Sequence, residues 1–314
     1  MSIVFLYAGQ GSQRVGMGKD IYEKFDVYRS FIDGLKLDIP LLKLMHEGPE
    51  DELTKTEHTQ PAMAAFAAGV TQVLADNGIR PDAACGLSLG EYGALYAGGV
   101  FDAKDYVKLV EYRGRVMAEA AEGLKCSMSA VLGVADSSVI EETVADYDGE
   151  GYIAAVNFNC PGQTVICGDE EAVTAVEGLL KEKGAKRCIR LKVSGPFHTK
   201  YMAGAGDKLK DYFEKIEWKR PSIPVAVNVT GGFLKDEDII PELLVKQVQS
   251  PVRLENDLRT LIEAGYDNFV EIGPGNTMSG FLKKTARAMK ADVNISGIDT
   301  AEDLEKIIVG GING

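Results

Sequence analysis

The stretch Gly86-Leu87-Ser88-Leu89-Gly90 constrains the fold of this chain more than any other. It follows a short apolar run, Ala83-Ala84-Cys85, and precedes a helix-like stretch over residues 91–97. A serine on a sharp turn between a strand and a helix needs small neighbours, because its backbone is strained and its hydroxyl must stand clear of the chain. The positive end of the helix also favours an alkoxide or oxyanion at this point. The stretch therefore predicts either a turn that presents Ser88 as a nucleophile or an ordinary glycine turn.

Strand-like and helix-like patterns alternate along most of the chain. The order is typical of an α/β protein with a largely parallel sheet. The helix predicted over 278–289 is expected to be the last element of this body. The predicted strands are 3–7, 83–85, 225–228 and 268–272, and the predicted helices are 21–33, 60–77, 91–97, 102–121, 200–216, 241–247, 254–264 and 278–289.

Residues 127–193 follow a different pattern, in the order β-α-β-β-α-β. This is the split βαβ arrangement of a small ferredoxin-like unit with one solvated sheet face. We therefore expect a ferredoxin-like subdomain at 127–193, inserted in a body formed by 1–126 and 194–314. The predicted strands are 130–134, 152–158, 164–167 and 188–193, and the helices are 138–147 and 170–183.

Composition excludes several classes of function. The 314 residues carry a formal net charge of −13, which argues against nucleic acid or an anionic membrane as the main partner. The five cysteines are odd in number and form no Cys-x-x-Cys pair, so neither a disulfide framework nor a thiolate zinc site is indicated. No His, Asp or Glu cluster has metal-ligand spacing. With no apolar run long enough to span a membrane and no signal-peptide pattern, the sequence favours a protein of the cytoplasm.

An activated serine needs a base, and the chain has three histidines. His46 and His58 lie in polar stretches typical of solvated loops or helix caps. His198 follows Gly195-Pro196-Phe197, where a half-buried strand ends and a helix begins. That position fixes a side chain, and the helix dipole there favours the neutral imidazole that a general base requires. A histidine that only caps the turn is the alternative.

Arg113 lies on an otherwise apolar helix face with Tyr106, Val110 and Met117, at spacings of four, three and four residues. A guanidinium in such a place needs an anion, and its planar fork matches a carboxylate. Two interpretations follow: a clamp for a substrate carboxylate, or a buried structural ion pair.

Two glycine-rich loops follow strand-like runs. Gly9-Gln10-Gly11-Ser12-Gln13 is not a dinucleotide motif, because Arg14 stands where the third glycine belongs. It is instead a candidate to bring a backbone N–H to an oxyanion, beside the N–H of Leu89, the residue after the serine. Gly273-Pro274-Gly275-Asn276 favours a plain turn over a pocket wall.

These pieces together resemble one family, the malonyl-CoA:acyl carrier protein transacylases of fatty acid synthesis, whose relatives are the acyltransferase domains of polyketide synthases. The resemblance runs nearly end to end. It implies an α/β-hydrolase-like body with a parallel sheet and an inserted ferredoxin-like subdomain. The matching motifs are Gly9-Gln10-Gly11-Ser12-Gln13, residues 86–91, Arg113 with Met117, residues 157–163, Gly195-Pro196-Phe197-His198, Gln247 before Ser250-Pro251-Val252, and residues 271–275.

The resemblance implies that Ser88 is the nucleophile and His198 the base. Backbone N–H groups of Gln10 and Leu89 would form the oxyanion hole, and Arg113 would hold the free carboxylate of malonyl. Backbone carbonyls, rather than an aspartate, would orient the histidine.

Four further residues are implied to bind substrate: Met117, Asn159, Phe197 and Gln247. Phe197 is what malonyl-specific members tend to carry, where a smaller residue leaves room for a methyl branch. Leu87 departs from the family pattern, because most relatives have histidine at this position. That histidine is not the catalytic base, so we expect this chain to keep its activity and to differ in the floor of its pocket.

The implied reaction takes malonyl from malonyl-CoA to the phosphopantetheine thiol of acyl carrier protein by way of a serine ester, with no bound cofactor. A narrow tunnel between body and subdomain would keep water from that ester. Because the carrier is expected to be acidic, docking requires a local basic patch. Our candidates are Arg190, Lys192, Lys283, Lys284 and Arg287, which would otherwise be solvated surface residues.

Three other functions stay open. One is a related acyltransferase of a polyketide or polyunsaturated lipid pathway. A thioesterase-like hydrolase would share serine and histidine, but it has no use for the carboxylate clamp. A non-catalytic carrier-binding module would be expected to lack Ser88 or His198, and both are present.

Overall fold

The computed structural model describes residues 2–191 and 195–310. Within these ranges the strands are β1 (Ile3–Tyr7), β2 (Ala83–Gly86), β3 (Cys126–Leu132), β4 (Ile153–Cys160), β5 (Gln163–Asp169), β6 (Arg187–Arg190), β7 (Ala226–Val227), β8 (Gly232–Phe233), β9 (Asn268–Ile272) and β10 (Asn294–Ile298).

Among the described residues, one 3₁₀ turn is found at Lys200–Met202. The α-helices are α1 (Lys19–Lys24), α2 (Asp26–Asp33), α3 (Leu41–Glu47), α4 (Glu50–Leu53), α5 (Thr56–Asp76), α6 (Leu89–Ala97), α7 (Ala103–Ala121), α8 (Ser138–Ala145), α9 (Glu170–Glu182), α10 (Ala203–Phe213), α11 (Ile240–Gln247), α12 (Leu254–Glu263), α13 (Thr277–Met289) and α14 (Ala301–Gly310).

The main sheet is parallel, in the order β10-β9-β1-β2. Its central strand β1 is apolar at every position, because both of its faces are covered. Phe5 and Tyr7 pack into one buried cluster, whereas Val4 and Leu6 pack into a second cluster on the other face. Parallel strands place their carboxyl ends along one edge, where loops carry functional residues.

The second sheet is antiparallel, in the order β4-β5-β3-β6, which is the strand order of a ferredoxin-like unit. Helices α8 and α9 bury one face of it through a cluster that includes Val131, Ile166 and Val176. Strand β4 is fastened to the body by two hydrogen bonds of 2.8 Å, from Phe158 N–H to the Val252 carbonyl and from Val252 N–H to the Val156 carbonyl. The predicted fold class, a parallel sheet with a separate antiparallel sheet, is confirmed.

Several predicted elements are wrong in extent. Strand β10 and helix α14 follow the helix that we expected to end the body. As an edge strand, β10 carries few apolar residues, so its sequence Asn-Ile-Ser-Gly-Ile has no strong strand pattern. Extended backbone at Phe25 splits the helix predicted over 21–33 into α1 and α2. The strand predicted over 225–228 is a two-residue pair with β8. Helices α3, α4 and the strand β8 have no counterpart among the predicted elements.

Across the described ranges, no helix combines the length and apolarity needed to cross a membrane.

Candidate active site

Ser88 occupies the sharp turn between β2 and α6. Its backbone is in a strained conformation, with φ 56° and ψ −104°. Glycine flanks it for steric reasons: a Cβ on Gly86 would lie 2.1 Å from the Gly90 backbone, and a Cβ on Gly90 would lie 2.2 Å from the Tyr7 carbonyl oxygen. The turn therefore fits only because the residues two positions before and two positions after Ser88 lack a side chain.

His198 contacts the serine directly. The Nε2 atom of His198 is 2.9 Å from Ser88 Oγ, and its Nδ1 atom is 2.8 Å from the Gln247 carbonyl oxygen. Because that carbonyl only accepts hydrogen bonds, Nδ1 carries the proton and Nε2 is left to accept from the serine hydroxyl. The backbone of His198 is itself held at φ 61°, and its N–H donates to the Val248 carbonyl at 3.0 Å.

Burial keeps the imidazole neutral. His198 is 4% exposed, and burial lowers its pKa from 6.5 to about 4, with the nearby Arg113 charge as the next cause. The base is therefore neutral across the ordinary pH range.

Arg113 lies on α7 with its side chain fully buried. Its Nη1 donates to Gln60 Oε1 at 2.7 Å, and its Nη2 donates to Ser88 Oγ and Gln247 Oε1, both at 3.0 Å. The guanidinium carbon is 5.3 Å from the centre of the Tyr92 ring. Among the described residues no carboxylate pairs with this guanidinium, and its buried Nε has no partner. The structural ion pair is therefore not found.

A cavity of about 220 Å³ opens above Ser88, with walls from the antiparallel sheet and from loops and helices of the body. Met128, Ala130 and Val165 come from the second sheet and form an apolar wall. The sequence-predicted residues that line this cavity are Gln10, Ser88, Leu89, Arg113, Met117, Asn159, Phe197 and His198. Leu87, which differs from the histidine of most relatives, lines it as well.

Backbone donors also reach this cavity. Neither the Gln10 N–H nor the Leu89 N–H donates to another residue within the described part of the chain. Leu89 opens α6, where the first N–H groups have no carbonyl of their own helix to bind. Two free donors beside Ser88 can stabilise negative charge on an oxygen of a bound group.

Gln247 acts from behind the cavity rather than in its wall. It is fully buried, and its Nε2 donates to the Ser88 carbonyl at 2.8 Å while its Oε1 accepts from Arg113. Its own carbonyl accepts from His198. One residue thus contacts all three groups that face the cavity.

Two contributors were missed in the sequence. Gln60 accepts from Arg113 and lines the cavity, and Asn228 binds the backbone of Ser88 at 2.8 Å. Both are polar residues that adjoin apolar runs in the sequence and are buried in the fold, which is the one signal that could have identified them.

The other two histidines lie elsewhere. They belong to α3 and α5 rather than to loops. His46 packs edge-on against Tyr22, with ring centres 5.5 Å apart, and the His58 Nδ1 is 2.9 Å from the Glu52 carbonyl oxygen. Neither lines the cavity. The glycine-rich stretch at 273–276 is likewise a turn between β9 and α13, outside the cavity wall.

The predicted basic patch is divided. The Nε of Arg190 pairs with Glu177 at 2.8 Å, so this cation is already neutralised. Lys192 lies outside the described residues. Lys283, Lys284 and Arg287 are exposed on α13, the helix whose residues Thr277 and Phe281 line the cavity.

All five cysteines are unpaired thiols. Within the described part of the chain, no group of three or more His, Cys, Asp or Glu side chains is placed to hold a metal.

A buried neutral imidazole on a serine hydroxyl, with free N–H donors and a guanidinium alongside, can move an anionic acyl group onto the serine and off again. Residues 4–306 match the family model described as acyl transferase domain, so the chain belongs to the acyl transferase family.

Individual relatives within the family are more specific. The chain is 40% identical over 303 residues to malonyl CoA-acyl carrier protein transacylase of Bacillus subtilis (strain 168), covering 96% of this chain and 95% of that one. Its structure is similar to that of malonyl CoA-acyl carrier protein transacylase from Clostridium perfringens, with a TM-score of 0.92, 38% identity, and coverage of 99% and 97%.

A further solved structure is a malonyl-transacylase in complex with a type II PKS acyl-carrier protein. It has a TM-score of 0.92 and 34% identity, and the match covers 99% of this chain and 100% of that one.

Proposed function

We propose that this protein transfers the malonyl group from malonyl-CoA to acyl carrier protein through an ester on Ser88. One observation carries the proposal. The Ser88 Oγ lies 2.9 Å from a neutral imidazole nitrogen and 3.0 Å from a guanidinium nitrogen of Arg113, which forms no ion pair with a described carboxylate. The imidazole contact activates the serine for acyl transfer, and the guanidinium can bind an acyl group that carries its own negative charge.

In the first half-reaction, Ser88 Oγ attacks the thioester carbon while its proton passes to His198 Nε2. The oxyanion that forms is stabilised by the free N–H groups of Gln10 and Leu89. As the tetrahedral intermediate collapses, the carbon–sulfur bond breaks and His198 returns the proton to the departing thiolate of coenzyme A. The malonyl ester of Ser88 remains.

Arg113 supplies the acyl selectivity. Its described hydrogen-bond acceptors, Gln60, Ser88 and Gln247, are all neutral, and the buried Glu91 acts on its positive charge only from beyond salt-bridge distance. Once Ser88 Oγ is esterified, Nη2 would release that oxygen, and the edge formed by Nη2 and the unpartnered Nε then matches the two oxygens of the malonyl carboxylate. A simple thioester hydrolase would gain nothing from burying this charge, which favours the transferase over that alternative.

In the second half-reaction, the phosphopantetheine thiol of the carrier attacks the Ser88 ester, with His198 again taking and returning the proton. No other cofactor is needed. Water must stay away from the ester between the two steps, and the apolar wall from β3 and β5 helps to exclude it.

We therefore infer that residues 127–193 act as a subdomain inserted in a body of 1–126 and 194–314. The unpaired thiols support a location in the cytoplasm.

Carrier docking is assigned to the exposed face of α13. Lys283, Lys284 and Arg287 are free of any ion pair with described residues, and they share a helix with cavity-lining Thr277 and Phe281. In a chain of net charge −13, such a local patch gives an acidic carrier a favourable approach to the cavity. Because Glu177 already pairs with it, Arg190 contributes less.

The test compares Arg113→Ala with Arg115→Ala. Arg115 lies two residues away on the same helix, on the exposed surface beside Tyr112 and Asp38. We expect Arg113→Ala to lower kcat/KM for malonyl transfer by about 100-fold and to change acetyl transfer by less than about threefold, since a charge-assisted pair stabilises by about 3 kcal/mol. Arg115→Ala leaves both rates unchanged. Equal losses for malonyl and acetyl would refute the clamp.

A further inference from the structure

The carboxamide of Asn228 contacts the strained turn at Ser88 at two points. Ser88 N–H donates to Asn228 Oδ1 at 2.8 Å, and Asn228 Nδ2 donates to the Gly86 carbonyl at 2.8 Å. Asn228 follows β7 and is fully buried. It therefore bridges the residue before the turn and the serine itself, across 140 positions of sequence.

The orientation of this carboxamide is fixed by its partners. A backbone N–H only donates and a carbonyl only accepts, so the two amide atoms of Asn228 cannot be exchanged. The second hydrogen of Nδ2 goes to Asp257 Oδ2 at 3.0 Å, and the backbone N–H of Asn228 donates to Glu91 Oε2 at 2.8 Å. Both carboxyl groups are fully buried, on α12 and α6. Asn228 is thus anchored to α6, which begins at the turn, and to α12.

We propose that Asn228 is a positioning residue for acyl transfer, which holds Ser88 in its strained backbone conformation and so aims Oγ at His198 and Arg113. The inference rests on Ser88 being the nucleophile. A non-glycine residue keeps a positive φ only where its surroundings enforce it. On the other side of Ser88, its carbonyl accepts from Gln247. With Asn228 removed, the Ser88 N–H and the Gly86 carbonyl lose their partner, and the turn can relax.

Such a relaxation affects chemistry more than binding. A rotation at Ser88 would break the 2.9 Å contact to His198 Nε2 and the 3.0 Å contact to Arg113 Nη2 together. The remaining cavity walls would keep their places. Misplacing a reacting atom by about 1 Å costs on the order of 100-fold in rate.

The buried carboxyl of Asp257 accepts a hydrogen bond from Asn228 Nδ2, and its surroundings change its pKa. Burial raises the pKa of Asp257 well above its usual range, and the neighbouring Glu91 raises it further. This direction favours the protonated carboxyl of Asp257, whose Oδ2 accepts from Asn228 Nδ2.

The experiment measures single-turnover acylation by malonyl-CoA, using rapid quenching and intact-protein mass spectrometry on wild type, Asn228→Ala and Asn228→Asp. Both variants should lower the acylation rate constant by about 100-fold and leave KM for malonyl-CoA within about twofold. The aspartate keeps an acceptor for Ser88 N–H but turns an oxygen towards the Gly86 carbonyl. A merely structural role would reduce the fraction of protein that reacts, without changing the rate constant.

Asn268→Asp is the matched control. Asn268 is also fully buried, but it begins β9, at the end of the sheet opposite to Ser88. This variant should lose stability and keep the wild-type rate constant. Wild-type rate constants in both Asn228 variants would overturn the inference, whereas failure of the wild-type protein to acylate would overturn the proposed function instead.

If neither Asn228 variant folds, the anchor gives an independent test. Asp257→Ala should lower the acylation rate constant about tenfold, and Asp257→Asn should recover most of it, because an amide oxygen can still accept from Asn228. A wild-type rate constant in Asp257→Ala would overturn the inference.

Discussion

The pH dependence of malonyl transfer should have its acid limb near pH 4 rather than near 6.5. Burial lowers the pKa of His198 to about 4, and only the neutral imidazole accepts the serine proton. At pH 5.5, a pKa of about 4 leaves about 97% of the base neutral, whereas an ordinary pKa would leave about 9%. The assay is kcat/KM for malonyl-CoA, followed by coenzyme A release between pH 3.5 and 8, since this parameter reports the free enzyme.

The same shift acts on stability with a definite sign. Between pH 6.5 and 4 the unfolded chain binds a proton at His198 that the folded protein refuses, so the free energy of unfolding falls as the pH falls, by about 3 kcal/mol in all. Glu91 acts in the opposite direction, because burial raises its pKa to about 7 and its contribution is lost as the pH rises towards that value. Circular dichroism at each pH must therefore accompany the kinetics. An acid limb near pH 6.5 in protein that remains folded would refute the reasoning.

Two other predictions concern the turn and the docking face. Gly90→Ala places a Cβ 2.2 Å from the Tyr7 carbonyl oxygen and should lower the melting temperature sharply. Gly178→Ala in α9 meets nothing within 4 Å and should raise the free energy of unfolding by about 0.5–1 kcal/mol. Similar melting curves for the two variants would contradict this. Lys283→Glu should raise KM for the carrier several-fold and leave KM for malonyl-CoA unchanged. Lys43→Glu, on α3 and outside the cavity, is the control, and equal effects of the two reversals would remove α13 from consideration.

Much of the architecture could be predicted because its signals are local. β1 is a short apolar run buried on both faces, β9 carries three apolar residues out of five, and Gly86 and Gly90 mark the turn around Ser88. Family resemblance then indicated which distant residues would share a cavity with Ser88. Strand β10 could not be predicted in this way, since an edge strand that is half exposed has no continuous apolar pattern.

Polar partners inside the body were harder to predict. Gln60 and Asn228 matter because of what they contact, namely Arg113 and the Ser88 backbone, and no spacing in the sequence encodes those contacts. The pairing of Arg190 with Glu177 is likewise a property of the folded surface. Sequence patterns indicate which residues are buried, but long-range packing decides which buried groups meet.

The most direct test of the central claim is intact and peptide mass spectrometry of the protein after brief incubation with malonyl-CoA. A single malonyl ester on the peptide that contains Ser88 is predicted, and it should disappear when acyl carrier protein is added. Ser88→Ala should carry no adduct, and His198→Ala should acquire it far more slowly. A wild-type protein that acquires no adduct, or acquires it on another residue, would contradict the account.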